Sequence, residues 1–159
     1  MITTVYNKQK DLSLSIANIK LMIPFLLTHL GISTDEVILH FVSKTAIGKI
    51  HNTFFSDPSP TDCISFPMDS PQEEASEEKH RILGEVFVCP QIALEYAKEQ
   101  KLDPHKETAL YIIHGILHLL GYDDITPSDR RQMRKMEQKC LKLCSPFVLS
   151  KKSVKKRLS

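Results

Sequence analysis

Apolar residues fall into two rhythms along this chain, and the alternation between them predicts the fold. Residues 2–6, ITTVY, are β-branched and aromatic, as in a strand, and the polar NKQKD that follows reads as a loop. From Leu12 to Leu30 apolar residues recur at helical spacing, with Gly31 in the C-cap place and Pro24 inside, where it either bends the helix or divides it. VILHFV, 37–42, is short and nearly continuous in its apolar character, which predicts a strand buried on both faces. Ser43 then looks like the N-cap of a helix over 44–54, and the proline- and serine-rich FSDPSPTD is a loop.

Strand character returns at Cys63–Phe66 and, most clearly, at Ile82–Cys89. Glu85 among apolar neighbours there implies a partly polar face or a sheet edge. Between them, 68–81 is acidic, contains proline and lacks large apolar groups, so a mobile, solvated loop is expected rather than a cation site. Pro90 opens a helix to Gln100. Pro104 opens another to about Leu120 that is apolar on nearly every side, the mark of a central buried helix. Thr126-Pro127-Ser128-Asp129 makes a near capping box for a last helix to Cys144. The order β, α, β, α, β, β, α, α, α predicts an α/β (α+β) fold, a small mixed sheet of about four strands covered by helices, as one domain over 1–149.

The buried helix carries unusual chemistry. HGILHLLGYDD, 114–124, puts two imidazoles and two carboxylates into an apolar segment. His114 and His118 are four apart and share a helical face, so both rings can reach one ion. Gly121 supplies a left-handed helix terminus that folds Asp123 or Asp124 back toward them. Two imidazoles and one carboxylate make a three-ligand zinc site with a fourth position open, the catalytic type. The bland alternative is a pair of core histidines with satisfied ring nitrogens. Two aspartates directly after an apolar helix favour the metal, because carboxylates are rarely buried unpaired.

Charge and cysteine content change the picture little. The chain has 159 residues, is 42% hydrophobic and has a net charge of +2, but the last ten residues, 150–159, hold five cations and no acid. This tail is expected to be disordered and able to attract nucleic acid. Cys63, Cys89, Cys140 and Cys144 are widely spread, no signal peptide is evident and no apolar run reaches membrane length, so a reduced, cytoplasmic protein is expected. Cys140 and Cys144 share a helical face, as packing thiols do.

The motif resembles that of the YbeY family of bacterial endoribonucleases, HGxLHLxGYDH, and matches every fixed position but the last. Two further signatures agree: Asn52 followed by PTDCISFP at 60–67, and Leu83-Gly84-Glu85-Val86. The resemblance spans nearly the whole chain. It implies a zincin-like domain, one Zn2+ per chain, and cleavage of single-stranded RNA in 16S rRNA 3′ end maturation and ribosome quality control, with pre-rRNA and the ribosome as partners. It also implies His114, His118 and Asp124 as ligands, with Asp124 standing where the family has histidine and His114 in the catalytic centre as well. Asp123 is then a candidate to hold a histidine ring, or else a turn residue.

A second departure is the lack of an arginine that family members often carry between the Asn52 position and the PTD segment; here the residues are Phe54-Phe55-Ser56-Asp57. Phosphate contacts then fall to Lys44, Lys49, Arg81 and the tail residues Lys151, Lys152, Lys155, Lys156 and Arg157. Because the motif is HGxxH and not HExxH, the glutamate base of zinc peptidases is missing, its place taken by Gly115. Gly115 admits either the close approach of a strand or substrate, or merely loose packing. A non-catalytic, metal-stabilised rRNA-binding assembly factor and a metallohydrolase of peptides or small molecules are the alternatives, and a monomer is the default.

Overall fold

In a computed structural model that describes residues 1–151, four strands and five helices follow the predicted order. Strand β1 (Ile2–Asn7) is followed by α1 (Ile16–His29), β2 (Glu36–Phe41), α2 (Lys44–Phe55), β3 (Cys63–Pro67) and β4 (Ile82–Val88). Helices α3 (Pro90–Gln100), α4 (Pro104–Leu119) and α5 (Pro127–Cys144) follow among the described residues. The sheet order is β1-β2-β4-β3; β1, β2 and β4 are parallel and β3 runs antiparallel on the edge.

Two expectations need correction, and one open alternative is decided. Helix α1 starts at Ile16, not Leu12, because the Ser15 hydroxyl caps it by accepting from the Asn18 N–H. Leu12 and Leu14 are buried all the same, in an irregular segment ahead of the helix, where Gln9 closes a turn on Leu12 and Ser15 N–H donates to the Leu149 carbonyl. Their spacing imitated a helix they do not join. Pro24 neither ends nor divides α1: the carbonyl it leaves without an N–H donor belongs to exposed Lys20, where water can replace that donor. Finally, β2 is not buried on both faces. Val37, Leu39 and Phe41 are fully buried, whereas Ile38 and His40 are half-buried on the opposite side.

That opposite side is the polar face implied by Glu85. Strand β4 lies inside the sheet, and the Glu85 carboxylate is 3.1 Å from His40 Nε2 on β2. The main core lies on the other face, where α1 and α4 pack on the strands, joined by Met133, Cys140 and Cys144 of α5. A smaller apolar cluster of Val42, Ile47, Ile64 and Cys89 seats α2. All four cysteines are free, and Cys140 and Cys144 serve as core residues whose thiols are held protonated by burial, Cys144 pushed up to about 11. The 68–81 loop is mostly exposed, with Lys79 tied to Asp69 and Glu73.

Helix α4 is the centre of the packing: nine of its residues are buried, as its all-round apolar sequence predicts. Asp103 caps its start by accepting from His105 N–H, with Pro104 in the first turn. Gly121, at φ +98°, ends it. Gly121 N–H donates to His118 O and Tyr122 N–H to Leu117 O, the paired bonds of a Schellman terminus. The chain after the helix therefore turns back along it. Among the described residues no helix is long and apolar enough to cross a membrane.

Candidate metal centre

The reversal at Gly121 carries Asp124 back to the two rings of α4. His114 Nε2 and His118 Nε2 are 3.0 Å apart, and Asp124 Oδ2 lies 3.6 Å from the first and 3.7 Å from the second. Ligands bound tetrahedrally at about 2.0–2.1 Å stand about 3.3 Å from one another, so this triangle has the dimensions of three corners of such a shell. The donors share one small volume, and all three residues are half-buried, which leaves one side open. Core histidines with separately satisfied rings would not aim two Nε2 atoms at one carboxylate.

A fourth group fixes the arrangement. Glu137 on α5 places Oε2 2.8 Å from His114 Nδ1, and its side chain is only 12% exposed. A carboxylate there accepts the Nδ1 proton, holds the ring, and leaves the Nε2 lone pair directed at Asp124 and His118. It also raises the pKa of His114 above its ordinary value, chiefly through this hydrogen bond, with burial opposing. This is the role that Asp123 was a candidate for, and Asp123 does not have it. Exposed Asp123 accepts from the N–H of Asp124 at 3.2 Å and so braces the turn. Arg130 supports the same turn, donating to Ile125 O at 2.8 Å.

Sequence reading missed both Glu137 and Arg130. A signal for Glu137 was present: Met133, Glu137, Cys140 and Cys144 form the inward stripe of α5, and Glu137 is the lone acid on it. Gly115 resolves toward close approach. A Cβ there would collide with the Val86 side chain and stand 2.8 Å from Cys63 Sγ, while Ser65 Oγ donates to Gly115 O at 2.8 Å. Helix α4 thus lies directly on β3 and β4 beside the two histidines of the candidate centre.

The family model described as Endoribonuclease YbeY matches residues 4–145, a span that contains every element of the centre. The chain belongs to the YbeY endoribonuclease family. It is similar to the "Endoribonuclease YbeY" of Protochlamydia amoebophila, 44% identical over 86% of this chain and 89% of that protein. The protein of the same name from Chlamydia caviae is 39% identical over 86% and 87%. The solution structure of TM1509 from Thermotoga maritima superposes with a TM-score of 0.62 at 24% identity, covering 90% of this chain and 89% of that one, and shows the shared fold.

The cations expected to meet phosphate fare differently from one another. Arg81 does not face solvent: it is 3% exposed, its Nε is 3.1 Å from Asp35 Oδ2, and its Nη atoms donate to Ser33 and to Glu73 O. Its guanidinium joins the loop to the segment that leads into β2, and reading it as an RNA contact is corrected. Asp35 in turn has a lowered pKa, chiefly from its bond to Arg81. Lys44 is paired with Glu95 at 2.9 Å, whereas Lys49 is exposed beside a hollow that Asn52, Pro58 and Pro60 also line. Lys151 is exposed; Lys152, Lys155, Lys156 and Arg157 lie outside the described residues, as does most of the expected tail.

Proposed function

We propose that this chain is a zinc-dependent endoribonuclease that cuts single-stranded RNA in the cytoplasm, acting as a monomer in 3′ end maturation of 16S rRNA and in ribosome quality control. The observation that carries this reading is the triangle of His114, His118 and Asp124 with one open side, in a member of this family. The donor set fits zinc, since two imidazole nitrogens and one carboxylate oxygen are ordinary partners of that ion. When bound there, the ion supplies a Lewis acid that offsets charge developing on the scissile phosphate.

The protein's own groups do the rest. Glu137 keeps the proton of His114 on Nδ1, so that ring presents a lone pair and not an N–H. The terminus at Gly121 and the braces from Asp123 and Arg130 hold Asp124 in place. Asp124 brings a negative charge where the family has a neutral imidazole, which weakens the field at the phosphate and makes oxygen-preferring ions such as manganese more acceptable. Position 115, where zinc peptidases carry a glutamate base, has no room for any side chain, which speaks against peptide hydrolysis.

Purified protein is incubated with labelled single-stranded rRNA fragments and with a peptide pool, each with and without chelator. Chelator-sensitive RNA cleavage that Asp124→Ala abolishes, along with bound metal, is the expected result. RNA binding with no such cleavage would replace this reading with that of a non-catalytic assembly factor, which the phenylalanines at 54 and 55 in the family's arginine region favour. Unchanged metal stoichiometry in Asp124→Ala would remove that residue from the centre.

A further inference from the structure

Beside the metal centre lies a groove that the chemistry above does not use. Its walls come from the last turn of α2 (His51, Phe55), the edge strand β3 (Cys63, Ile64, Ser65) and His118 of α4, and it encloses about 290 Å³. That volume is at the small end for ligand pockets, which suits a single aromatic heterocycle more than an extended ligand. Because His118 belongs both to this groove and to the triangle, whatever occupies it lies next to the reacting phosphate.

Three features describe the occupant. Phe55 is 56% exposed, a large apolar ring left uncovered at the groove, with His51 tilted against it at a centroid distance of 5.5 Å. Next, His51 Nδ1 lies 2.9 Å from the Ser59 carbonyl. A carbonyl only accepts, so Nδ1 bears the proton and Nε2 of the neutral ring is an acceptor. Finally, β3 is a sheet edge. The Cys89 N–H donates to Asp62 O and the Met68 N–H to Leu83 O, so by antiparallel alternation the even-numbered residues between them bond to β4. The main-chain groups of Cys63 and Ser65 are therefore the ones left facing outward along the groove.

An exposed ring face, a ring-nitrogen acceptor and a row of free main-chain donors and acceptors together match the face and the edge of an unpaired base. We propose that this groove is a subsite for one unpaired nucleobase of the RNA, stacked on Phe55 with its edge bonded to His51 Nε2 and to the free main chain of β3. The subsite rests on the RNA-cutting reading and adds to it a physical reason for single-strand selectivity: a base still paired in a duplex cannot enter.

The chain contains no tryptophan, so Phe55→Trp installs a single indole reporter in the groove. Titration with a short single-stranded oligoribonucleotide, recorded before turnover, should quench its emission. Phe54→Trp should not respond, since the Phe54 ring packs on Phe66 and does not line the groove. In the same RNA, one abasic position should remove the quenching and weaken binding to the unaltered protein, measured by anisotropy, by the same factor as Phe55→Ala does on intact RNA. That factor is about 5- to 150-fold for the loss of one stacked base. Phe55→Ala should then be indifferent to the abasic change. Binding without quenching, abasic and Phe55→Ala penalties that simply add, or no RNA binding at all would overturn the subsite. Quenching with no RNA cleavage would instead overturn the hydrolytic reading and leave the subsite standing.

Discussion

Replacing Glu137 by Gln tests the metal centre without touching a ligand. The amide oxygen of Gln can still accept the Nδ1 proton of His114, so the ring stays oriented while the charge is lost. Two consequences oppose each other. Without the carboxylate His114 is a weaker base toward metal, and loss of such an outer partner costs about 10- to 100-fold in affinity, or about 1.4–2.7 kcal/mol. But the same carboxylate raises the pKa of His114 above 6.5, so in the metal-free protein it also helps a proton compete for the site. Metal binding must expel that proton.

The two effects separate with pH. At pH 8 the proton competes less than at pH 6, and there the variant should bind zinc roughly 10-fold or more weakly in a chelator competition. As pH falls toward 6 the unaltered protein loses affinity first, because its imidazole protonates at a higher pH, and the gap should narrow. The sign for stability follows the same logic: in metal-free protein the His114–Glu137 pair contributes below the unfolded pKa near 6.5, and that contribution is lost as pH rises through the raised folded value. Equal zinc affinity at pH 8, or a gap that widens on acidification, would refute the assignment of Glu137.

Three further outcomes are expected. Gly115→Ala should gain about 1 kcal/mol of helix propensity and lose more to the collision with Val86 and Cys63, for which overpacking costs of about 1–3 kcal/mol are usual, so thermal denaturation should show a lower Tm. Arg81→Ala should also lower Tm, by the loss of buried charge-assisted hydrogen bonds worth on the order of 2 kcal/mol, yet leave RNA affinity within experimental error; a large affinity loss at unchanged Tm would return Arg81 to the RNA surface. Deleting residues 150–159 should weaken RNA binding and flatten its salt dependence with metal content unchanged, as read from affinities over a salt series.

The fold was legible because most boundaries carry their own chemistry. Ser43 and Thr126 cap helices where their sequence context predicts, and Pro90, Pro104 and Pro127 occupy first turns. The start of α1 was not legible, since Leu12 and Leu14 are buried at helical spacing without being helical, and only the cap at Ser15 separates the two cases. At the metal centre the spacing of 114 and 118 and the turn at Gly121 were local facts. Glu137 and the buried role of Arg81 depend on contacts 23 and 46 residues away in sequence, with His114 and Asp35, which no local pattern encodes. The inward acid on α5 was a hint that hydrophobic periodicity, counting only apolar positions, passes over.

The reach of α5 across to His114 has a consequence in time. During synthesis the three donors at 114, 118 and 124 leave the ribosome before the carboxylate that disciplines the first of them, and α5 must then fold onto α4 for the two to meet. A growing chain therefore exposes the three candidate ligands before the first of them is oriented, and the centre takes its described geometry only once α5 has packed on α4.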